Sequence, residues 1–189
     1  PEIDSPLASI FPVTTKKAQK SNFTLLVFAG MATRLSMPTA EFFNALGKID
    51  KEINIIFVKD LRQCWYLRGL LGLSDDVEST LRYFRDLIPD GQRVVTLGTS
   101  AGGYAAILFG ILLGAERCVA FGPQTLLDQK AFKRFRSADS RQSDFDTLEE
   151  FKDLSSLSGL RNYKGRVDIH YAASDDVDRC AAERLSDFG

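Results

Sequence analysis

"VVTLGTSAGGYAAILFG", residues 94–110, joins a run of strand formers to an apolar, helix-like segment through a crowd of small residues. Gly98 stands two residues before Ser100, and Gly102 stands two after it. A turn that needs only flexibility is built from Gly, Asn or Asp. A serine at this joint, with glycine on either side, implies a tighter demand. Strand and helix approach so closely that only hydrogen fits at the flanks, while one hydroxyl is held out at the tip.

Outward from this joint, nearly continuous apolar runs alternate with segments of helical period. The runs are "NFTLLVFAG" (22–30), "INIIFVKD" (53–60), "RVVTLGTS" (93–100), "RCVAFGPQ" (117–124) and "RVDIHYAAS" (166–174). The helical segments are "TAEFFNALGKI" (39–49), "DDVESTLRYFRDLI" (75–88) and "GGYAAILFGILLG" (102–114). Strands that read as continuous apolar runs suit a sheet covered on both faces. Strand then helix, repeated, is the mark of right-handed βαβ units. The expectation is an α/β fold, a mostly parallel sheet of at least five strands with helices on both faces.

Residues 125–162 break that rhythm with a longer, more charged stretch, basic early (Lys130, Lys133, Arg134, Arg136) and acidic late (Asp144, Asp146, Glu149, Glu150). It predicts a small helical cap insertion of two or three short helices lying off the sheet. The charge run reads first as a solvated face, with an anion site on its basic half as the sharper alternative.

At 189 residues the chain is long enough for one domain with a substantial core and short for two. Hydrophobic residues at 44% and charged residues at 26% exclude a disordered composition. The net charge of −1, from 24 basic and 25 acidic residues, implies neither a nucleic-acid nor a membrane-surface partner. Three widely spaced cysteines, Cys64, Cys118 and Cys180, make no metal or CxxC pattern and read as free thiols of a reducing compartment. Residues 1–20 carry neither a signal peptide's basic start and apolar stretch nor a bilayer-length span. The expectation is a soluble, cytoplasmic protein; its oligomeric state is not readable. The chain begins with Pro rather than Met, so its ends need not be natural ones.

In parallel α/β sheets ligands sit at the carboxyl ends of strands, and Ser100 lies at such an end. Gly98-Thr99-Ser100-Ala101-Gly102 is G-x-S-x-G between a predicted strand and a predicted helix, the context of a nucleophile elbow. In such an elbow the serine backbone takes a positive φ and its side chain opens into a pocket. The N–H of Ala101, at the helix start, is aimed to donate to a developing oxyanion. The bland alternative is a tight turn in which Ser100 caps the helix.

With "GTSAGGYAAILFG" followed by "AFGPQTLLD", and with "FAGMATRLSMPTAEFF" and "KDLRQCWYLRG" upstream, the chain from about residue 22 onward resembles the α/β-hydrolase superfamily. More narrowly it resembles bacterial hydrolase-like proteins of uncertain substrate. The resemblance implies a serine nucleophile, an oxyanion hole and the chain order Ser, acid, His. Carried onto this sequence, the nucleophile is Ser100 and the oxyanion donors are the N–H groups of Ala101 and Met31. Met31 follows Gly30 in the loop after the first clear strand, where no HGGG motif stands. The acid is Asp175, in "YAASDDVD", with Asp176 its unseparated neighbour. Asp175, Asp176 and Asp178 also raise a hard-metal site, but no fourth oxygen ligand at a fixed spacing supports it, and no metal or cofactor is expected. An Asp-rich helix N-terminus is the bland reading of Asp176 and Asp178.

The only histidine, His170, lies within a predicted strand, five residues before Asp175 and on the wrong side of the acid for that order. It reads as a buried core residue rather than a base. The resemblance then implies a single α/β-hydrolase-like domain over 1–189 that lacks its C-terminal strand and His loop, or a member that has lost its base.

"DLRQCWYLRG" (60–69) follows another strand end, so Asp60, Arg62, Gln63, Trp65, Tyr66 and Arg68 border the expected pocket. Trp65 and Tyr66 are candidates to stack on a sugar or acyl group, with Arg62 or Arg68 gripping an anion and Gly30 close by. The alternative is an aromatic lid packed on the sheet. Cys64 has no histidine to activate it and is not read as a nucleophile. Two functions follow. One is a serine hydrolase or acyl-transfer enzyme acting on a small-molecule ester or thioester, including a glycan-linked or carrier-linked acyl group. The other is a non-catalytic binding module of the same fold.

Overall fold

Each of the five apolar runs becomes a strand, and a sixth joins them at one edge. The computed structural model describes residues 1–2, 8, 10–18, 20–33, 35, 41–42, 44–46, 53–127 and 149–186. Within it the strands are β1 (Val13–Lys16), β2 (Phe23–Phe28), β3 (Asn54–Val58), β4 (Arg93–Thr99), β5 (Arg117–Phe121) and β6 (Arg166–His170). The helices are α1 (Val77–Leu87), α2 (Ala101–Leu113) and α3 (Asp176–Glu183). The sheet order is β1-β3-β2-β4-β5-β6. All neighbours are parallel except β1, which runs antiparallel to β3 with Val13 opposite Val58. The short β1, "VTTK", has no apolar run to announce it and was not among the expected strands.

Both faces of the sheet are covered, which is why its strands read as unbroken apolar runs. Alternate residues of a strand point to opposite faces. Leu26 and Phe28 of β2 join one core cluster with α1 and α2. Leu25 and Val27 join another with Ile55 and Phe57, against which Phe42 and Leu46 pack. Residues 41–42 and 44–46, the described part of the expected 39–49 helix, are helical.

Helix α1 starts at a capping box, in which Asp76 accepts the N–H of Ser79 at 2.7 Å and the Ser79 hydroxyl bonds back to the cap. Helix α2 is buried at every position from Ala101 to Ile111. Its Phe109 stacks on Phe28 (centroids 5.6 Å) and meets Phe84 of α1 edge-on (5.2 Å), locking helix to helix and helix to sheet.

Of the expected cap insertion 125–162, residues 128–148 lie outside the described residues, and with them Lys130, Lys133, Arg134, Arg136, Asp144 and Asp146. The described remainder holds three short 3-10 turns, Glu149–Phe151, Leu154–Ser156 and Leu160–Asn162, with residues 125–127 bridged to the chain between the first two. Leu154, Leu157 and Leu160 enter the same core cluster as α2. No helix among the described residues is long and apolar enough to cross a membrane.

Candidate active site

Ser100 sits between β4 and α2 with φ 54° and ψ −121°, and its side chain makes no capping hydrogen bond. The capping alternative is therefore not how this serine is used. The flanking glycines are demanded by backbone. A Cβ on Gly98 would overlap the carbonyl of Gly102, and a Cβ on Gly102 would overlap the carbonyls of Phe28 and Ala29. The start of α2 is thus pressed against the carboxyl end of β2, and the chain that leaves β2 passes beside Ser100.

That chain turns at once. The Gly30 carbonyl accepts the N–H of Thr33 at 2.8 Å, and Thr33 has φ 59°. Gly30 is buried and Met31 half-buried. The Met31 carbonyl accepts Nε2 of Gln63 at 3.1 Å. Among the described residues neither the N–H of Met31 nor that of Ala101 has an acceptor. The N–H of Ser100, by contrast, is bonded to Phe121 O.

The loop after β3 is built around Asp60, which is 1% exposed. Its carboxylate accepts the N–H groups of Cys64 (2.5 Å), Tyr66 (3.0 Å) and Arg62 (3.1 Å). Burial pushes this carboxyl above its ordinary range, against the pull of those N–H groups. With Asp60 as hub, Gln63, Trp65 and Tyr66 all hold positive φ (53°, 55° and 64°), a concentration of strain typical of functional loops.

Trp65 and Tyr66 are 3% and 0% exposed, so neither ring presents a face to a ligand, and the burial fits the aromatic lid. The Tyr66 hydroxyl lies 2.7 Å from Ala29 O and 3.1 Å from Val58 O, tying the loop to two strand ends. Arg62 donates to the Arg68 carbonyl and pairs with Asp75 at 3.4 Å, spending its guanidinium within the protein. Burial, and then the Asp60 charge, push the Cys64 thiol up to about 12, as an inert cysteine requires.

A cleft of about 500 Å³ opens over the carboxyl ends of β4, β5 and β6 and brings Ser100 together with Gln124, His170, Asp175 and Asp178. Asp175 is the N-cap of α3 and accepts the N–H groups of Val177 (2.9 Å) and Asp178 (3.2 Å). Asp176 is exposed, pairs with Arg179 at 2.6 Å and does not line the cleft. His170 corrects an expectation. It is exposed, not buried, because it is the last residue of an edge strand. Its ring stacks on Phe121, centroids 4.7 Å apart, and no hydrogen bond joins it to Ser100 among the described residues. No group of three His, Cys, Asp or Glu side chains among the described residues is arranged to hold a metal.

The residue that sequence reasoning missed is Gln124. Its Oε1 accepts Trp65 Nε1 at 3.1 Å, and its Nε2 donates to Ser100 Oγ at 3.3 Å. "AFGPQ" marked the neighbourhood, but nothing in the sequence joins position 124 to position 65.

No known protein family and no curated protein matches the chain by sequence. Solved structures do match by shape. Carboxyl esterase 2 from the mycorrhizal fungus Tuber melanosporum aligns with TM-score 0.58 and 16% identity, over 94% of this chain and 68% of its own. The capsule O-acetyltransferase of Neisseria meningitidis serogroup A gives TM-score 0.58 and 16% identity, over 93% and 76%. The S-formylglutathione hydrolase of Staphylococcus aureus gives 0.62 and 13%, over 92% and 78%. With the six-stranded, mostly parallel sheet and its covering helices, these likenesses establish that the chain has the α/β-hydrolase fold.

Proposed function

We propose that this protein cleaves or transfers an acyl group held as an ester or thioester, with Ser100 as the nucleophile. The observation that carries the reading is the backbone at the elbow. Ser100 is held at φ 54°, and the next N–H, that of Ala101, is left without an acceptor among the described residues. The Met31 N–H is in the same state. In the proposed reaction Ser100 Oγ attacks the carbonyl carbon, its proton passes to a base, and the oxyanion is received by these two N–H groups. Asp175, lining the same cleft, is the acid that would orient that base. His170 lines the cleft too, with its ring stacked on Phe121 and no hydrogen bond to Ser100 among the described residues, and the proposal does not give it the part of base.

The esterase, the O-acetyltransferase and the S-formylglutathione hydrolase among the structural neighbours are in keeping with an acyl group on oxygen or sulfur. A glycan-linked or carrier-linked acyl group remains within the proposed substrate class. A fluorophosphonate probe tests the reading. Covalent labelling of the protein that is lost in Ser100→Ala supports it. Absence of labelling together with tight binding of an intact ester would favour the binding module.

A further inference from the structure

The side-chain amide of Gln124 lies between two residues that fix its direction. The indole N–H of Trp65 is a donor and never an acceptor, so the group it meets at 3.1 Å is the amide oxygen. The amide nitrogen is thereby turned to Ser100, with Nε2 3.3 Å from Oγ, and it also lies 3.4 Å from the Gly122 carbonyl. Trp65 cannot easily swing away. It is 3% exposed, at φ 55°, in the loop that the Asp60 carboxylate holds from within.

We infer that Gln124 is a further residue of the Ser100 chemistry, an oriented N–H donor to the nucleophilic oxygen, with Trp65 the positioning residue that decides which end of the amide faces the serine. The inference rests on the proposed role of Ser100.

The consequence lies in the serine's proton. A hydroxyl has one proton to give and two lone pairs. Because the atom that Gln124 turns to Oγ is Nε2, which donates only, the amide takes no proton from Ser100, and the hydroxyl keeps its own for another acceptor. When the Oγ–H bond breaks and the bond from Oγ to the carbonyl carbon forms, that proton goes to the base, and Gln124 keeps both of its own. Its N–H favours the negative charge that builds on Oγ before the new bond is complete. A bond of 3.3 Å is long in the resting state and tightens as its acceptor becomes anionic. With Trp65 replaced by Phe, the amide loses the donor that holds its oxygen and keeps only the long bond from Nε2 to the Gly122 carbonyl, so its N–H is less firmly aimed at Ser100.

The test compares Gln124→Met, Trp65→Phe and the double variant with Ser100→Ala in turnover of a chromogenic ester. Each single substitution is expected to lower kcat about tenfold with KM little changed. The double variant should be no slower than either single one, because both act through one amide. In parallel, the side-chain ¹⁵N–¹H signals of Gln124 should shift in Trp65→Phe and in Ser100→Ala. If Ser100→Ala is inactive while Gln124→Met keeps full kcat, the inference is overturned and the serine reading stands. Full activity in Ser100→Ala overturns both. Additive losses in the double variant overturn the shared-amide role. Gln124 signals indifferent to both Trp65→Phe and Ser100→Ala do the same, even where Gln124→Met fails to fold.

Discussion

The N–H of Ser100 donates to the carbonyl of Phe121 at 2.8 Å, so the sheet holds the serine's own amide while the chain reverses at its α-carbon. The Ser100 carbonyl is fixed as well, by the N–H of Tyr104 at 3.1 Å. Anchored on both sides, the residue has no freedom to leave φ 54°. Such strain costs about 1–3 kcal/mol in an L-residue. Glycine avoids it, though it brings a larger entropy loss of about 0.5–1 kcal/mol. Ser100→Gly is therefore expected to stabilise the fold by about 1 kcal/mol, and Ser100→Ala to leave stability near that of the parent. Urea unfolding of the three proteins checks the order. Equal midpoints for Gly and Ala would mean that the elbow stores no strain.

Gly102→Ala drives a methyl group into the carbonyls of Phe28 and Ala29. Those atoms belong to a central strand and its exit and cannot rotate aside as a side chain would. The expected cost is about 3 kcal/mol, the upper end for overpacking. Thermal unfolding should show it, with loss of probe labelling at Ser100 because the loop that carries Met31 moves with the Phe28 and Ala29 carbonyls.

Asp76 makes stability depend on pH in one direction. The Ser79 hydroxyl and N–H, at 2.6 and 2.7 Å, hold its carboxyl below the usual carboxylate range. A depressed folded value stabilises the native state above the unfolded value of about 3.9 and ceases to as pH falls through the lower folded one. Asp76→Ala should cost about 1 kcal/mol near neutral pH. Denaturation at strongly acid pH should no longer distinguish it from the parent.

The three thiols should separate cleanly. Cys180 is exposed, whereas Cys64 and Cys118 are buried. Burial pushes the thiols of both buried residues up. Iodoacetamide at mildly alkaline pH is expected to modify Cys180 alone in the native protein, and all three in denaturant. Peptide mapping that finds Cys64 alkylated without denaturant would contradict the buried loop.

The alternation of apolar run and amphipathic segment was enough to read the parallel sheet, because period and composition are local properties. The tight strand-to-helix turn at Ser100 was legible for the same reason, since Gly98, Ser100 and Gly102 lie within five positions. What escaped depends on contacts between distant positions. β1 borrows its stability from β3 rather than from its own sequence. Sequence alone leaves Trp65 and Tyr66 open between ligand-facing aromatics and a packed lid, because nothing local says that Asp60 will fold the loop inward. His170 looked buried because its strand is apolar, yet its place at the sheet edge is set by topology. Gln124 meets Trp65 from the loop after another strand.

Helix α2 has no polar face from Ala101 to Ile111, and this has a consequence outside the folded state. A helix apolar all round is at home only away from water. Its site is assembled from β2, β4 and β5, whose pairing joins Leu26 to Thr96 and Thr96 to Cys118. Closing contacts of such separation is slow. Until they close, an uncharged segment of aliphatic and aromatic residues is open to other copies of itself. Refolding yield should therefore fall steeply with protein concentration, and heated samples should precipitate instead of recovering. The segment that seats the serine most firmly is the one that makes a denatured chain hardest to rescue.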